Sequence, residues 1–132
     1  MKRITAVLVL TTATMIAAAC STTTSPGGPV AGRWHTDSAL SRGAIILDMT
    51  LTQTDTVIEG DGMYGGTRPR QADVIGFYSS TPIADPIILT VAAVNTVPAL
   101  LRAHLSTNGD TLVGTYQFLP GTVIDTVAFA RQ

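Results

Sequence analysis

AIILDMTLTQTDTVIEGDGMY, residues 44–64, is the stretch that decides the fold. In its first part every second side chain is apolar: Ile45, Leu47, Met49 and Leu51. The turn residues Gln53-Thr54-Asp55 follow, and alternation then resumes with one face made of Ile58, Gly60, Gly62 and Tyr64. Because a period of two is typical of a half-buried strand, the stretch is predicted to form a β-hairpin.

The same pattern of short alternating segments and turn residues extends beyond this hairpin. It predicts eight strands, over residues 32–36, 44–52, 56–64, 71–78, 86–94, 99–106, 111–118 and 122–131. Strands at this spacing are typical of an all-β sandwich or barrel. A glycine inside a strand weakens it unless the strand bends sharply or another strand lies close. Four such glycines favour the barrel: Gly60, Gly62, Gly76 and Gly114. We therefore predict a small eight-stranded antiparallel up-and-down barrel over residues 32–132.

Residues 95–105 fit two structures. Thr96 as a cap and Pro98 in the first turn are compatible with a helix. A weak internal repeat favours a strand, because two sets of residues have the same spacing: Leu51, Ile58 and Gly60, and Leu105, Leu112 and Gly114. The second set encloses Asn108-Gly109, a strong hairpin signal. We predict the strand.

The N-terminus has the composition of a secretory signal. Lys2 and Arg3 precede an uncharged segment, residues 4–19, which ends in three alanines before Cys20, the only cysteine. The segment is shorter than the roughly 20 apolar residues of a transmembrane helix. A single unpaired cysteine in a secreted protein calls for an explanation, because the cell exterior is oxidising.

The end of this segment resembles the lipobox of bacterial lipoproteins, with Ala17 where leucine is usual. The resemblance implies a cleaved signal peptide over residues 1–19 and acyl chains on Cys20 that anchor the protein in a bacterial cell envelope. Ser21, rather than aspartate, implies delivery to the outer membrane where the cell has one. The alternatives are an ordinary signal peptide or an N-terminal anchor helix. Residues 21–31, rich in Thr, Ser, Gly and Pro, are predicted to be a flexible linker.

Composition limits the partners. Without Lys2 and Arg3, six arginines face nine acidic residues, a formal net charge of −3 with no lysine. A basic surface for nucleic acid is therefore not expected, and neither is a polybasic patch for anionic lipid. The length fits one domain.

The sequence contains no recognisable catalytic constellation. His35 and His104 lie far apart without the spacing of metal ligands. Five carboxylates are predicted to lie mostly on the outer, solvated face: Asp48, Glu59, Asp61, Asp73 and Asp125. We predict no catalytic residue, no metal site and no cofactor.

Gly32-Arg33-Trp34 near the start of the domain, with Arg131 near its end, resembles the calycin pattern of lipocalins. In those eight-stranded barrels the tryptophan closes one end and a late arginine packs across it. The resemblance implies a structural role in barrel closure for Gly32, Trp34 and Arg131. An arginine over an indole face is itself worth about 0.5–2 kcal/mol.

We expect a non-catalytic binding or scaffold module whose interior is filled mostly by its own side chains. One alternative is a carrier of a small apolar ligand, with a predicted lining of Leu47, Met49, Ile58, Val74, Tyr78, Leu89, Leu112, Tyr116 and Phe118. Another is an inhibitor or partner of an envelope protein. The sequence leaves the oligomeric state open.

Overall fold

Eight antiparallel strands form a closed barrel in the computed structural model, which describes residues 27–38, 46–65, 67–121 and 124–132. The strands are β1 (Gly32–Thr36), β2 (Leu47–Thr54), β3 (Val57–Tyr64), β4 (Arg70–Tyr78), β5 (Ile87–Ala93), β6 (Ala99–Leu105), β7 (Thr111–Phe118) and β8 (Ile124–Arg131). Each strand pairs with the next, and β8 returns to pair with β1. The predicted fold class is therefore confirmed. The predicted signal peptide, Cys20 and residues 21–26 of the linker lie outside the described residues.

The core lies inside the barrel and follows the alternation of the sequence. In β2 every second residue is buried, and the residues between them are exposed. The largest fully buried side chains are Trp34, Phe129, Leu51, Ile58, Ile87, Leu89, Leu112, Val30 and Val127. Residues 99–105 are the strand β6, as the internal repeat predicted, and no helix occurs in the described part of the chain.

The turn between β2 and β3 lies two residues later than predicted. Gln53 and Thr54 are the last residues of β2, paired with Ile58 and Val57, and only Asp55-Thr56 form the turn. Asp55 has a φ of 53°, which a short aspartate side chain tolerates. Gln53 continues the inward-facing row of β2, so a polar residue that resembled a turn residue is in fact buried.

The two hairpins of the internal repeat differ in register. Leu51 pairs with Gly60, whereas the equivalent Leu105 pairs with Leu112. The first hairpin has a two-residue loop, and the second closes through a hydrogen bond from the Ser106 amide to the Thr111 carbonyl at 2.8 Å. The repeat therefore predicted the strand correctly, but not the pairing across it.

The glycines of the inner face lie close to the backbone of a neighbouring strand. A Cβ on Gly76 would collide with the backbone carbonyl oxygen of Ile88, and one on Gly114 with that of Arg102. These oxygens belong to the adjacent strands β5 and β6. Only glycine fits such a bend, which supports the prediction that the inner-face glycines serve a small barrel.

The up-and-down topology places alternate loops at opposite ends. One end holds residues 27–31 and the connections 55–56, 79–86 and 106–110, and we call it the sealed end. The other holds the described parts of the connections 37–46, 65–69, 94–98 and 119–123, and we call it the distal end. The chain preceding residue 27 therefore joins the barrel at the sealed end.

Candidate functional site

The sealed end is built around Trp34. Its side chain is 1 % exposed, and its Nε1 donates a hydrogen bond to the carbonyl oxygen of Val30 at 2.9 Å. Val30 is itself fully buried in the core, and its amide donates to Oε1 of Gln53 at 3.0 Å. The Gln53 amide group in turn donates to the Asp55 carbonyl at 2.8 Å. Residues preceding β1 thus become part of the core at this end.

Arg131, in β8, binds the same residues that precede β1. The guanidinium carbon lies 4.3 Å from the Trp34 ring centroid, a cation–π arrangement. The guanidinium also donates three hydrogen bonds to carbonyl oxygens: to Ala31 at 2.6 Å, to Pro29 at 2.7 Å and to Gly109 at 3.1 Å. Three segments of the chain therefore meet on one side chain.

The three residues that the calycin resemblance assigns to closure lie together. Trp34 and Arg131 are register partners across β1 and β8. Gly32 has a φ of 137°, and a Cβ there would lie 2.8 Å from Nη1 of Arg131. The glycine therefore leaves room for the guanidinium.

The predicted ligand lining faces the barrel interior. Seven of its nine residues are buried in the core: Leu47, Met49, Ile58, Val74, Leu89, Leu112 and Tyr116. Tyr78 and Phe118 are partly buried and pack against them. The predicted list missed Tyr64, Val91 and Phe129, which also face inward. The alternation in β3, β5 and β8 is the signal that identifies them.

Little space remains among these side chains. The crevice inside the barrel has a volume of about 10 Å³, room for one water-sized sphere, and is lined by Leu47, Tyr64, Val91, Ala99, Leu101, Tyr116, Val127 and Phe129. Pockets that hold drug-sized ligands measure roughly 300–1,000 Å³. Every buried side-chain nitrogen and oxygen among the described residues has a hydrogen-bond partner. Among the described residues the side chains around this crevice form a packed core, as expected for a narrow barrel.

Two tyrosines line this crevice in the distal half. Burial raises the pKa of the Tyr64 hydroxyl. The pKa of Tyr116 is raised by burial and then by the carboxylate of Asp125, which accepts a hydrogen bond from the hydroxyl at 3.4 Å. Both phenols therefore stay neutral to a higher pH than an ordinary tyrosine does. Asp125 is the register partner of Tyr116 and faces the barrel interior with it, so the prediction of an outward Asp125 is wrong.

A polar groove of about 500 Å³ runs over the outer surface of β1–β4. Its outward side chains are Arg33, His35, Asp48, Thr50, Asp61, Met63 and Gln71, with Gln132 beside them. Nδ1 of His35 contacts Oδ1 of Asp48 within the groove. Asp61 pairs in register with Asp73, so two carboxylates adjoin on neighbouring strands.

Both histidines are exposed and both have carboxylate partners. His104 contacts Asp85 at 3.1 Å on the opposite side of the molecule, separately from the His35–Asp48 pair. The strand alternation predicted the exposure, but not these pairings, because they depend on register and on the loop of residues 79–86. No group of three or more His, Cys, Asp or Glu able to hold a metal is found among the described residues.

A second outer surface is apolar. Val57, Phe77 and Ile88 are successive register partners on β3, β4 and β5, and Ile75 lies two residues from Phe77 on the same face. We call these four residues the apolar outer face. Ile75 is 58 % exposed, Phe77 49 % and Val57 47 %, while Ile88 is half-buried. Isolated exposed apolar residues are ordinary, but a contiguous set on one sheet is typical of a contact surface.

The described residues include no helix long and apolar enough to cross a membrane. No family model, curated protein or solved structure matches the chain.

Proposed function

We propose that this protein is a lipid-anchored domain of the bacterial cell envelope, a non-catalytic binding or scaffold module of the lipocalin-like type. In this proposal acyl chains on Cys20 hold the domain at a membrane, the outer one where the cell has two. The barrel then contacts its partner through its outer surface rather than through its interior.

The packed interior is the observation that carries this proposal. A crevice of about 10 Å³ accepts no apolar ligand without displacing core side chains. Displacement would be costly, because protein interiors pack as densely as crystals of organic molecules. The outer surface, in contrast, offers a contiguous apolar face and a polar groove of about 500 Å³.

Native mass spectrometry of the protein purified from its own cells tests the use of the interior. We expect the mass of the acylated chain without a small molecule. A stoichiometric apolar ligand, lost on Leu101→Trp substitution in the crevice, would instead favour the carrier hypothesis.

The anchor has its own test. The N-terminal peptide of the mature protein should carry acyl chains on Cys20, and Cys20→Ala should release the protein from the membrane fraction. Ser21→Ala is the matched control and should leave membrane attachment unchanged. An unmodified Cys20 in the mature protein would contradict the proposal.

A further inference from the structure

The apolar outer face occupies the half of the barrel near the sealed end. Val57 is the first residue of β3, Phe77 the last but one of β4 and Ile88 the second of β5. These are the ends of the strands that adjoin the connections 55–56 and 79–86. Ile83, 49 % exposed, lies in the second of these connections. Exposed apolar side chains therefore occur both on this half of the sheet and in the connection that adjoins it.

The chain that leads to Cys20 joins the barrel beside this face. A Cβ on Gly27 would lie 3.6 Å from the carbonyl oxygen of Gln53, so residue 27 packs against the end of β2. Thr54, the next residue of β2, pairs with Val57, and Val57 pairs with Phe77. At about 4.8 Å between adjacent strands, β4 lies about 10 Å from the entry point.

The covalent length of the connection limits how far the barrel can move from the anchor. Six residues lie between Cys20 and Gly27, so the chain takes seven residue steps, each of at most about 3.6 Å. In any conformation, Gly27 therefore stays within about 25 Å of Cys20. Since an eight-residue strand is itself about 27 Å long, the sealed half of the barrel must remain near the lipid headgroups.

We propose that the apolar outer face docks on the lipid bilayer that carries the anchor. This inference rests on the proposed function, because the lipid on Cys20 sets the distance. The barrel tilts so that Phe77, Ile75 and Val57 enter the headgroup region, to a depth of about 5–10 Å as for other interfacial apolar faces. The part of the polar groove that lies on β1 and β2 then remains open to the solvent.

A lipid surface fits this face better than a second copy of the chain does. The four side chains project from three adjacent strands of a narrow barrel and form a convex ridge, which enters a fluid interface without a complementary partner. The tether keeps a lipid surface within reach of this ridge.

Environment-sensitive dyes on single cysteines test the docking. Cys20 is the only native cysteine, so in the acylated full-length mature protein an introduced cysteine is the only free thiol. Phe77→Cys places the dye on the proposed contact surface. Thr126→Cys is the matched control, because Thr126 is exposed on β8, four strands away around the barrel. Thr54→Cys places a dye beside the face and leaves all four apolar side chains intact.

The labelled proteins are reconstituted in vesicles of phosphatidylcholine and phosphatidylglycerol, with and without nitroxide-labelled lipid. We expect dyes at 77 and 54 to shift their emission to the blue and to be quenched by the nitroxide lipid. The dye at 126 should emit as it does in water.

Equal, water-like emission at the three positions on vesicle-bound protein would overturn the docking while leaving the anchor intact. So would a blue shift at 77 that grows with protein density but is not quenched by nitroxide lipid, which would identify a contact between copies. If Cys20 itself reacts with the dye and the protein does not float with vesicles, both the anchor and the docking are refuted.

Discussion

The two ends of the barrel are closed in different ways. At the sealed end, backbone groups of residues 29–31 enter the closure: Trp34 and Gln53 both hydrogen-bond to Val30, and Arg131 donates to Pro29 and Ala31. At the distal end, the tyrosine and phenylalanine side chains of Tyr64 and Phe118 are only partly buried. A buried backbone requires fixed polar partners, whereas partly exposed rings such as these can repack. We therefore expect the sealed end to tolerate substitution less well.

The largest expected effect is that of Trp34→Ala. The substitution removes a fully buried indole and its hydrogen bond to Val30, so the free energy of unfolding should fall by about 3–5 kcal/mol. Phe118→Ala at the distal end should cost about 1–2 kcal/mol, because that ring is already partly exposed. Urea unfolding of both variants measures the difference. Equal losses in the free energy of unfolding would show that the two ends contribute equally to stability.

Arg131→Met should have the next largest effect. It retains the aliphatic packing but leaves the carbonyls of Pro29, Ala31 and Gly109 without their charged donor. Hydrogen bonds to a charged group and the cation–π contact together suggest a loss of about 2–3 kcal/mol. Arg102→Met, on the exposed outer face of β6, should change stability by less than about 0.5 kcal/mol. Hydrogen exchange of the Val30 amide should be faster in Arg131→Met than in the wild type, and it should be unchanged in Arg102→Met.

Gln53→Ala, set beside a substitution at its neighbour Thr52 in β2, compares the loss of a buried hydrogen bond with the loss of an exposed one. It removes the acceptor of the Val30 amide, a buried group, and should cost about 1–2 kcal/mol. Thr52→Ala removes an exposed hydroxyl that donates to the Glu59 carbonyl, and should cost clearly less. If Gln53→Ala is neutral in thermal unfolding, water replaces the side chain and the sealed end is more open than the hydrogen bonds suggest.

The smallest effect belongs to the distal end and depends on pH. Tyr116→Phe should change stability by less than about 1 kcal/mol at pH 7. Because the folded protein raises the pKa of Tyr116 above its ordinary value, the stability linked to this group is present below pH 10 and lost as the pH rises further. The variant should therefore unfold at a higher pH than the wild type in an alkaline titration. If the pH midpoint of alkaline unfolding were the same in both proteins, groups other than Tyr116 would have to cause the unfolding.

Alternation was sufficient to predict the eight strands and the all-β class, because each strand buries one face and exposes the other. Leu47, Met49 and Leu51 were placed inside on that basis, and the inner-face glycines favoured closure over a sandwich. Gln53 was missed, because its polarity suggested a turn and only its place in the row of β2 shows that it is buried. The sealed end was predicted only through the residues that resemble calycins.

Features that depend on register and loops were not predictable from the sequence. Asp85 reaches His104 from the connection 79–86, and Asp48 reaches His35 because β1 and β2 pair at those positions. The apolar outer face was missed for the same reason. Phe77 and Ile75 each look like isolated residues in the sequence, and only the pairing of β3, β4 and β5 joins them to Val57 and Ile88.

We expect Arg131 also to affect how the domain responds to mechanical load. A pull on the N-terminal chain reaches Pro29 and Ala31 before it reaches β1, and those residues are fastened to a side chain from the far end of the sequence. Force is therefore shared between the first and last strands instead of peeling β1 away alone. A domain held at its N-terminus to a moving membrane would resist such tension at this point first.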